Sequence, residues 1–224
     1  MPLPEGISPA EATSLVIQGL TAALAIRHGG RLQNGESVLV EAAAGGVGSF
    51  AVQLAKLSGA GKVIAAASTA EKRALAEALG AHASVDYTQP DWPAKVRELT
   101  DGRGVDLILE MTGGNTVGQA LDALGPFGRM VVYGQASGDE AFVNTQRLTV
   151  DNQAVVGFYI GAYLAQRPDL VKATLEEIVQ HVREGRIKLQ VGATLPLPKA
   201  EEAHRRLETR QTTGKIVLQP WVDA

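Results

Sequence analysis

Short apolar runs alternate with segments of helical periodicity along most of the chain. Runs rich in β-branched residues predict strands, and apolar residues recurring every three or four positions predict helices. The predicted strands are residues 37–41, 62–67, 83–87, 105–111, 129–133 and 154–158. The helices predicted between them are residues 47–57, 68–80, 93–99 and 117–124.

Further helices are predicted at both ends of this alternation. Ser8, Pro9 and Glu11 form a helix start with a capping box, and this helix is expected to end near residues 28–30. After the last strand, residues 168–184 predict a long amphipathic helix closed by Gly185. The tail then reads as an extended stretch at 191–195, a charged helix at 199–208 and a strand at 215–218.

The predicted strands are continuously apolar, which is typical of strands buried on both faces. Strands separated by helices must run parallel through right-handed crossovers. The pattern therefore predicts an α/β fold, a doubly wound parallel sheet of Rossmann type. We expect residues 1–189 to form this domain with its connecting helix, and residues 190–224 to form a segment in a different layer.

Composition narrows the function classes. Of 224 residues, 45% are hydrophobic and 20% are charged, which excludes a disordered chain. The net charge of −3 provides no basic surface for nucleic acid. There is no cysteine, so disulfides, thiol nucleophiles and cysteine-bound metals are excluded.

Two further features concern location. Residues 1–5 carry no basic leader. Glycine or charged residues interrupt the longest apolar stretches before these reach membrane-spanning length. These features predict a soluble, cytoplasmic protein with no membrane partner.

A glycine-rich loop follows the first central strand. Residues 43–48 read Ala-Ala-Gly-Gly-Val-Gly and open the first crossover helix, with Ala43 where the usual Gly-x-Gly-x-x-Gly pattern has its first glycine. Such a turn lets the backbone approach a pyrophosphate at the helix N-terminus. Its place in a strand–loop–helix unit favours dinucleotide binding over the alternative of a tight packing turn.

The end of the second strand bears on cofactor choice. Folds that prefer NAD commonly place an acid there, whereas this chain has Ala67-Ser68-Thr69 followed by Lys72 and Arg73. Cations in a first helical turn are unfavourable unless an anion is near, and a 2′-phosphate would be such an anion. The pattern favours NADPH; the alternative is that Ser68 is only an N-cap and both cations are solvated.

Four segments together resemble the medium-chain dehydrogenase/reductase superfamily. They are residues 35–48, 72–87, 128–134 and 213–218. The resemblance covers essentially the whole chain and is nearest to the zinc-free quinone oxidoreductase branch, related to enoyl reductases of polyketide and fatty-acid synthases. It implies NADPH as cofactor and hydride transfer to a quinone or enone.

The resemblance implies a cofactor site assembled from several loops. Its expected members are Thr21, Gly45, Gly46, Val47, Gly48, Ser68, Lys72, Tyr87, Thr112, Gly134, Ala136, Ser137, Phe158 and Arg210, with Lys215 as an alternative to Arg210. The glycines and Val47 would line the pyrophosphate, and Ser68 with Lys72 would hold the 2′-phosphate. Tyr87 and Phe158 have the alternative role of core aromatics, Thr112 that of a strand end, and Arg210 that of a surface charge.

Family members also carry an N-terminal GroES-like lobe that has no counterpart before Ser8 in this sequence. That lobe usually supplies half of the cleft, so no catalytic residue is assigned and a proton donor could come from solvent or from the lobe. The four scattered histidines predict no metal site. Two hypotheses follow: an NADPH-dependent oxidoreductase, or an NADPH-binding module with little turnover.

The resemblance also implies a homodimer. The strand near Val155 should lie at one edge of the sheet, where an apolar strand can pair with a second copy.

Overall fold

The computed structural model describes residue 3 and residues 5–220. The expectation of no basic leader falls on residues 1–5, of which residues 1, 2 and 4 lie outside the described residues. Trp221 also lies outside them.

The chain enters the domain through one continuous helix, Pro9–Gly29. It consists of α1 (Pro9–Ser14), a π-helical segment (Leu15–Gly19), α2 (Leu20–Leu24) and a second π-helical segment (Ala25–Gly29). The predicted capping box is confirmed: the Glu11 amide donates to the Ser8 hydroxyl, and the Ser8 amide donates to the Glu11 carboxylate. These bonds satisfy N–H groups that have no partner inside the helix.

The N-terminal helix corrects one expectation. Pro9–Gly29 is long and apolar enough to cross a membrane by length and composition, although the sequence pattern had suggested that no stretch reaches that length. However, 56% of its most apolar window is buried inside the protein. A core helix of a globular domain meets the same criteria, so this helix is weak evidence for a membrane span.

Six strands and their crossover helices form the main domain. The strands are β1 (Ser37–Glu41), β2 (Lys62–Ala66), β3 (Ala83–Val85), β4 (Val105–Glu110), β5 (Leu124–Val132) and β6 (Ala154–Gly157). The helices are α3 (Gly46–Leu57), α4 (Ala70–Ala78), α5 (Trp92–Glu98), α6 (Asn115–Ala123), α7 (Thr145–Val150), α8 (Ile160–Gln166) and α9 (Pro168–Arg183).

The sheet is parallel throughout, with strand order β3-β2-β1-β4-β5-β6. This order confirms the predicted doubly wound fold and places β6 at one edge. The order reverses between β1 and β4, where Val40 pairs with Leu109. In such sheets, ligands bind in the crevice beyond the carboxyl ends of the strands at this reversal.

Both faces of the sheet are covered, which explains the continuously apolar strands. One face packs against the N-terminal helix, α3 and α9, with Phe50, Leu24 and Ile178 in its core. The other face packs around Trp92 and Ile108. The inward alternation of each strand divides its residues between these two cores.

The tail forms a separate layer. Strands β7 (Val191–Pro196) and β8 (Lys215–Gln219) make a two-stranded parallel sheet, joined by a 3₁₀ turn (Leu197–Lys199) and α10 (Ala200–Glu208). The tail returns to the glycine-rich loop, where the Gly214 amide donates to the Ala44 carbonyl at 2.8 Å. The predicted tail elements are confirmed, and their return places them over the crevice.

Several predicted boundaries are wrong. The helix after β2 begins with Thr69 as its N-cap, because the Thr69 hydroxyl accepts from the Lys72 amide, and Ser68 therefore does not cap it. β3 ends at Val85, before the predicted end at residue 87, and β5 begins at Leu124, before the predicted start at residue 129. The sequence pattern missed α7 and α8.

Candidate functional site

A cavity of about 460 Å³ opens at the reversal of the sheet order. The glycine-rich loop, the loop after β4 and the segment between α10 and β8 enclose it. Its lining residues are Gln18, Ala42, Ala44, Gly45, Gly46, Ala67, Lys72, Tyr87, Met111, Thr112, Ala136, Leu207, Arg210, Thr212, Gly214, Lys215 and Ile216. The location is the one at which doubly wound folds bind nucleotides.

The glycine-rich loop presents the N-terminus of α3 to this cavity. Gly45 is the N-cap and provides no side chain to satisfy the first amides of the helix. A Cβ at Gly48 would lie 2.3 Å from the Ala42 carbonyl oxygen, so only glycine permits this close packing of loop and helix. Ala42 itself has a positive φ of 46°, which tightens the turn. The result is an anion-accepting helix end with direct backbone access.

Gln18 is a cavity residue that the sequence analysis missed. Its amide group occupies the space over Gly46, where a Cβ would meet the Gln18 Nε2 at 1.9 Å. The Gln18 Oε1 is buried and has no hydrogen-bond partner among the described residues. A polar side chain so placed can bond to a ligand at the loop. One signal in the sequence could have indicated Gln18. It precedes Thr21, a predicted site residue, by three positions on the same helix, so the two side chains lie on the same side of that helix.

Two cations border the outer end of the cavity. The Lys72 Nζ donates to the Arg210 backbone carbonyl at 2.5 Å, which brings the tail onto α4. Partial burial and the nearby Arg210 charge lower the pKa of Lys72. Neither cation forms an ion pair within the part of the chain that the structure describes. Two adjacent cations without a counter-ion favour binding of an anion between them.

Ser68 and Tyr87 lie beside these cations. Ser68 does not cap α4, and it lines a second cavity of about 530 Å³ together with Lys72 and Arg210. Ser68 lies near the Tyr87 side chain, and burial raises the pKa of Tyr87. Ser68, Lys72, Tyr87 and Arg210 therefore lie at one end of the crevice.

Arg73 differs from its neighbour. Its guanidinium pairs with Asp86 at 3.1 Å and donates to the Ala67 carbonyl. The interpretation that both cations await an anion is therefore wrong for Arg73, whose charge already has a partner. Of Lys72 and Arg73, only Lys72 lines the cavity.

The floor of the cavity is a pair of interlocked loops. The Ala136 amide donates to the Met111 carbonyl at 2.9 Å, and the Ser137 amide donates to the Thr112 carbonyl at 2.8 Å. Met111, Thr112 and Ala136 reach the cavity. The two loops thus hold each other at the carboxyl ends of β4 and β5.

The structure brings eight of the predicted site residues to the two cavities and leaves six outside their walls. The eight are Gly45, Gly46, Ser68, Lys72, Tyr87, Thr112, Ala136 and Arg210, and Lys215 joins them. The six are Thr21, Val47, Gly48, Gly134, Ser137 and Phe158. Thr21 is buried within the N-terminal helix, and Phe158 stacks on Tyr163 with ring centroids 5.0 Å apart.

Two buried acids, Glu41 and Glu110, lie directly beneath the floor, and the sequence analysis did not single them out. The Thr112 hydroxyl donates to Glu41 at 3.0 Å. The Thr112 and Gly113 amides donate to one oxygen of Glu110 at 2.9 and 2.7 Å. Burial, with a contribution to Glu41 from the charge of Glu110, raises the pKa of both carboxyls.

Metal-binding side chains are not clustered in the described part of the chain. Within residue 3 and residues 5–220, no group of three or more His, Cys, Asp or Glu is arranged to hold a metal ion. Zinc independence stays a prediction.

Comparison with known proteins supports the same family as the motifs. The family model described as zinc-binding dehydrogenase matches residues 46–180. Quinone oxidoreductase of Pseudomonas aeruginosa is 35% identical, the match covering 97% of this chain and 67% of that protein. Quinone oxidoreductase-like protein 2 homolog of Nematostella vectensis is 35% identical, over 96% of this chain and 59% of that protein.

A solved structure gives the same result. Escherichia coli quinone oxidoreductase, crystallised as a complex with NADPH, superposes with a TM-score of 0.90 at 32% identity, covering 98% of this chain and 68% of that one. The chain spans 59 to 67% of the length of the first curated relatives that it matches. By sequence and by fold, the chain belongs to the zinc-binding dehydrogenase family and to the quinone oxidoreductase branch of the medium-chain dehydrogenase/reductase superfamily.

Proposed function

We propose that this chain binds NADPH in the crevice between β1 and β4. One observation carries the proposal: a single cavity joins the N-terminus of α3, which has no side-chain cap, to Lys72 and Arg210, which form no ion pair among the described residues. NADPH carries a pyrophosphate and a 2′-phosphate, so it needs one anion-binding group at each end of the cavity. The Escherichia coli relative, whose structure contains NADPH, supports the same cofactor.

The residues present fit this cofactor. The lack of side chains at Gly45 and Gly46 leaves the first amides of α3 accessible, and Gln18 offers an amide oxygen above them that has no partner among the described residues. Lys72, Arg210 and Ser68 would hold the 2′-phosphate, with Tyr87 beside it. Thr112 would lie under the adenosine ribose, and Ala136 would border the nicotinamide ribose. The six predicted site residues that do not line the cavities would shape the cavity wall without touching the cofactor. They are Thr21, Val47, Gly48, Gly134, Ser137 and Phe158.

The activity that we propose for the whole protein is reduction of a quinone or enone. When bound, NADPH supplies the hydride. This chain's own residues would bind the cofactor, fix its orientation and keep water from one of its faces. We assign the proton donor to no residue of this chain. We propose further that the protein is cytoplasmic and that its substrate is a small molecule. We also propose that the chain divides at residue 190 into the Rossmann domain and the C-terminal segment.

A second candidate is an NADPH-binding module with little turnover. It is favoured by the site itself, in which residues are assigned to cofactor binding and none to the chemical step. A related form is the cofactor-binding part of an enoyl reductase. Both predict binding of NADPH, and they differ from the first candidate in whether this chain alone catalyses the reaction.

Turnover separates the two candidates. Steady-state NADPH oxidation with a simple benzoquinone should be faster with the wild-type chain than with Gly46→Asp, because that variant places a negative charge at the pyrophosphate position. Absorbance of NADPH measures the rate. Equal rates in both proteins would exclude catalysis by this chain alone and leave the binding module.

We also propose that two copies associate through β6. This strand lies at the sheet edge, and Val155 and Val156 are only partly buried there. Val156→Lys should convert a dimer to a monomer in sedimentation, since a charge on a paired edge strand opposes association. Val150→Lys, at an exposed position outside β6, is the control. An unchanged mass in Val156→Lys would argue for another interface.

A further inference from the structure

Glu41 and Glu110 end two neighbouring parallel strands at the point where the strand order reverses. Val40 pairs with Leu109 in the ladder, so the next residues along each strand are the two glutamates. Neither side chain is exposed to solvent. Adjacent strands are about 4.8 Å apart, which brings the two carboxyl groups together. Two like charges so close and so buried could not both stay ionised at low cost.

The hydrogen bonds leave one oxygen of each carboxyl free. Glu41 accepts from the Thr112 hydroxyl through Oε2, and Glu110 accepts two amides through Oε1. Glu41 Oε1 and Glu110 Oε2 have no other partner among the described residues. The register of β1 and β4 places the two carboxyls side by side at the ends of neighbouring strands. A proton between the free oxygens would satisfy both and remove one charge.

Neither carboxyl takes part in an ion pair in the described part of the chain. The titratable groups that face the pair are Tyr133, after β5, and Tyr87, after β3; Arg210 acts on Tyr87. Burial and the two nearby acids raise the pKa of Tyr133, which therefore stays neutral.

We propose that Glu41 and Glu110 hold one proton between them, and that this singly protonated pair positions Thr112 and Gly113 on the floor of the crevice. Glu41 orients the Thr112 hydroxyl, and Glu110 fixes the two backbone amides that follow β4. The acids do not line the cavity, so they act through Thr112 as positioning residues. The effect on NADPH rests on the proposed function; the shared proton does not.

The sign of the pH effect follows from linkage. The pKa of Glu41 is raised in the folded protein, mainly by burial and next by the charge of Glu110. The folded state then holds a proton that the unfolded state releases above the ordinary glutamate pKa near 4.5. Stability from this group is complete below that value and is lost as the pH rises toward the folded pKa.

Glu41→Gln tests the shared proton without NADPH. The Gln amide can donate to Glu110 as the protonated acid does, but it cannot lose that hydrogen. Urea unfolding between about pH 5 and pH 9 should show wild-type stability falling relative to Glu41→Gln as the pH rises. Glu98→Gln, an exposed acid on α5, should follow the wild type. The same pH dependence in all three proteins would overturn the proposal.

Amide hydrogen exchange tests the positioning of the loop. At the alkaline end of the range, the Thr112 and Gly113 amides should exchange about tenfold more slowly in Glu41→Gln than in the wild type, because their acceptor stays in place. Equal exchange in both proteins would contradict the positioning role. Should Glu41→Gln fail to fold, Glu110→Gln provides the same comparison, since its carbonyl still accepts both amides.

NADPH titration then separates this proposal from the proposed function. The wild type should bind NADPH about tenfold more weakly than Glu41→Gln at the alkaline end, and equally well at the acidic end. Absence of NADPH binding at every pH would reject the cofactor site, while unfolding and exchange would still decide the shared proton. NADPH affinity that changes equally with pH in both proteins would reject the link between the pair and the crevice.

Discussion

Replacing Gly46 with aspartate is expected to weaken NADPH binding at least about 100-fold without unfolding the protein. Gly46 opens α3, and the added side chain would meet only the end of Gln18, which can move aside. An acid in the first helical turn is favourable for the helix dipole, so the melting temperature should be unchanged or slightly higher. The same carboxylate would repel a pyrophosphate and occupy its place, and two such charges about 4 Å apart oppose each other by roughly 4 kcal/mol near a protein surface.

Two controls isolate the cause. Gly46→Asn has nearly the same volume without the charge and should lose less affinity. Gly118→Asp adds the same charge on α6, at a glycine whose surroundings are open, and should bind as the wild type does. Fluorescence titration with NADPH measures all four proteins. Wild-type affinity in a folded Gly46→Asp would show that the glycine-rich loop is only a packing turn.

Replacing Lys72 with alanine should remove most of the preference for NADPH over NADH. A charge-assisted contact to the 2′-phosphate contributes about 1.5 to 3 kcal/mol, which corresponds to a roughly 10- to 150-fold loss of NADPH affinity. NADH has no 2′-phosphate, so its affinity should change little. Arg210→Ala should act in the same direction, because both cations border the same end of the cavity.

Lys95→Ala is the matched control for charge. Lys95 pairs with Asp91 on the exposed face of α5 and is absent from both cavities, so removing it should change neither affinity. Raising the salt concentration should weaken NADPH binding in the wild type more than in Lys72→Ala. An unaltered NADPH-to-NADH ratio in Lys72→Ala would mean that this cation is solvated.

Much of the fold could be predicted because its signals are local. β-branched runs, a Ser8 capping box and glycines at turns act within a few residues, and the parallel order follows from the strand–helix alternation. The short helices α7 and α8 were missed, since they have 6 and 7 residues, too few to show a helical period, and neither contains a fully buried residue. Thr69, and not Ser68, caps α4; adjacent serine and threonine have similar capping ability, so the local sequence does not distinguish them.

The site was less predictable because its chemistry depends on distant contacts. Arg73 and Lys72 are neighbours in sequence, yet only the fold brings Asp86 to Arg73 and Arg210 to Lys72. Glu41 and Glu110 read as ordinary strand ends, and they become a pair only through the register of β1 and β4. Gln18 reaches the loop through the placement of the N-terminal helix, which no local motif encodes.

The central claim is that this chain holds NADPH in the crevice between β1 and β4, and calorimetric titration of the wild-type chain tests it most directly. With NADPH and NADH in parallel, the account predicts one site per chain and tighter binding of NADPH, by about tenfold or more. Equal affinity for both nucleotides would contradict the role of Lys72 and Arg210. No binding of either would contradict the site itself.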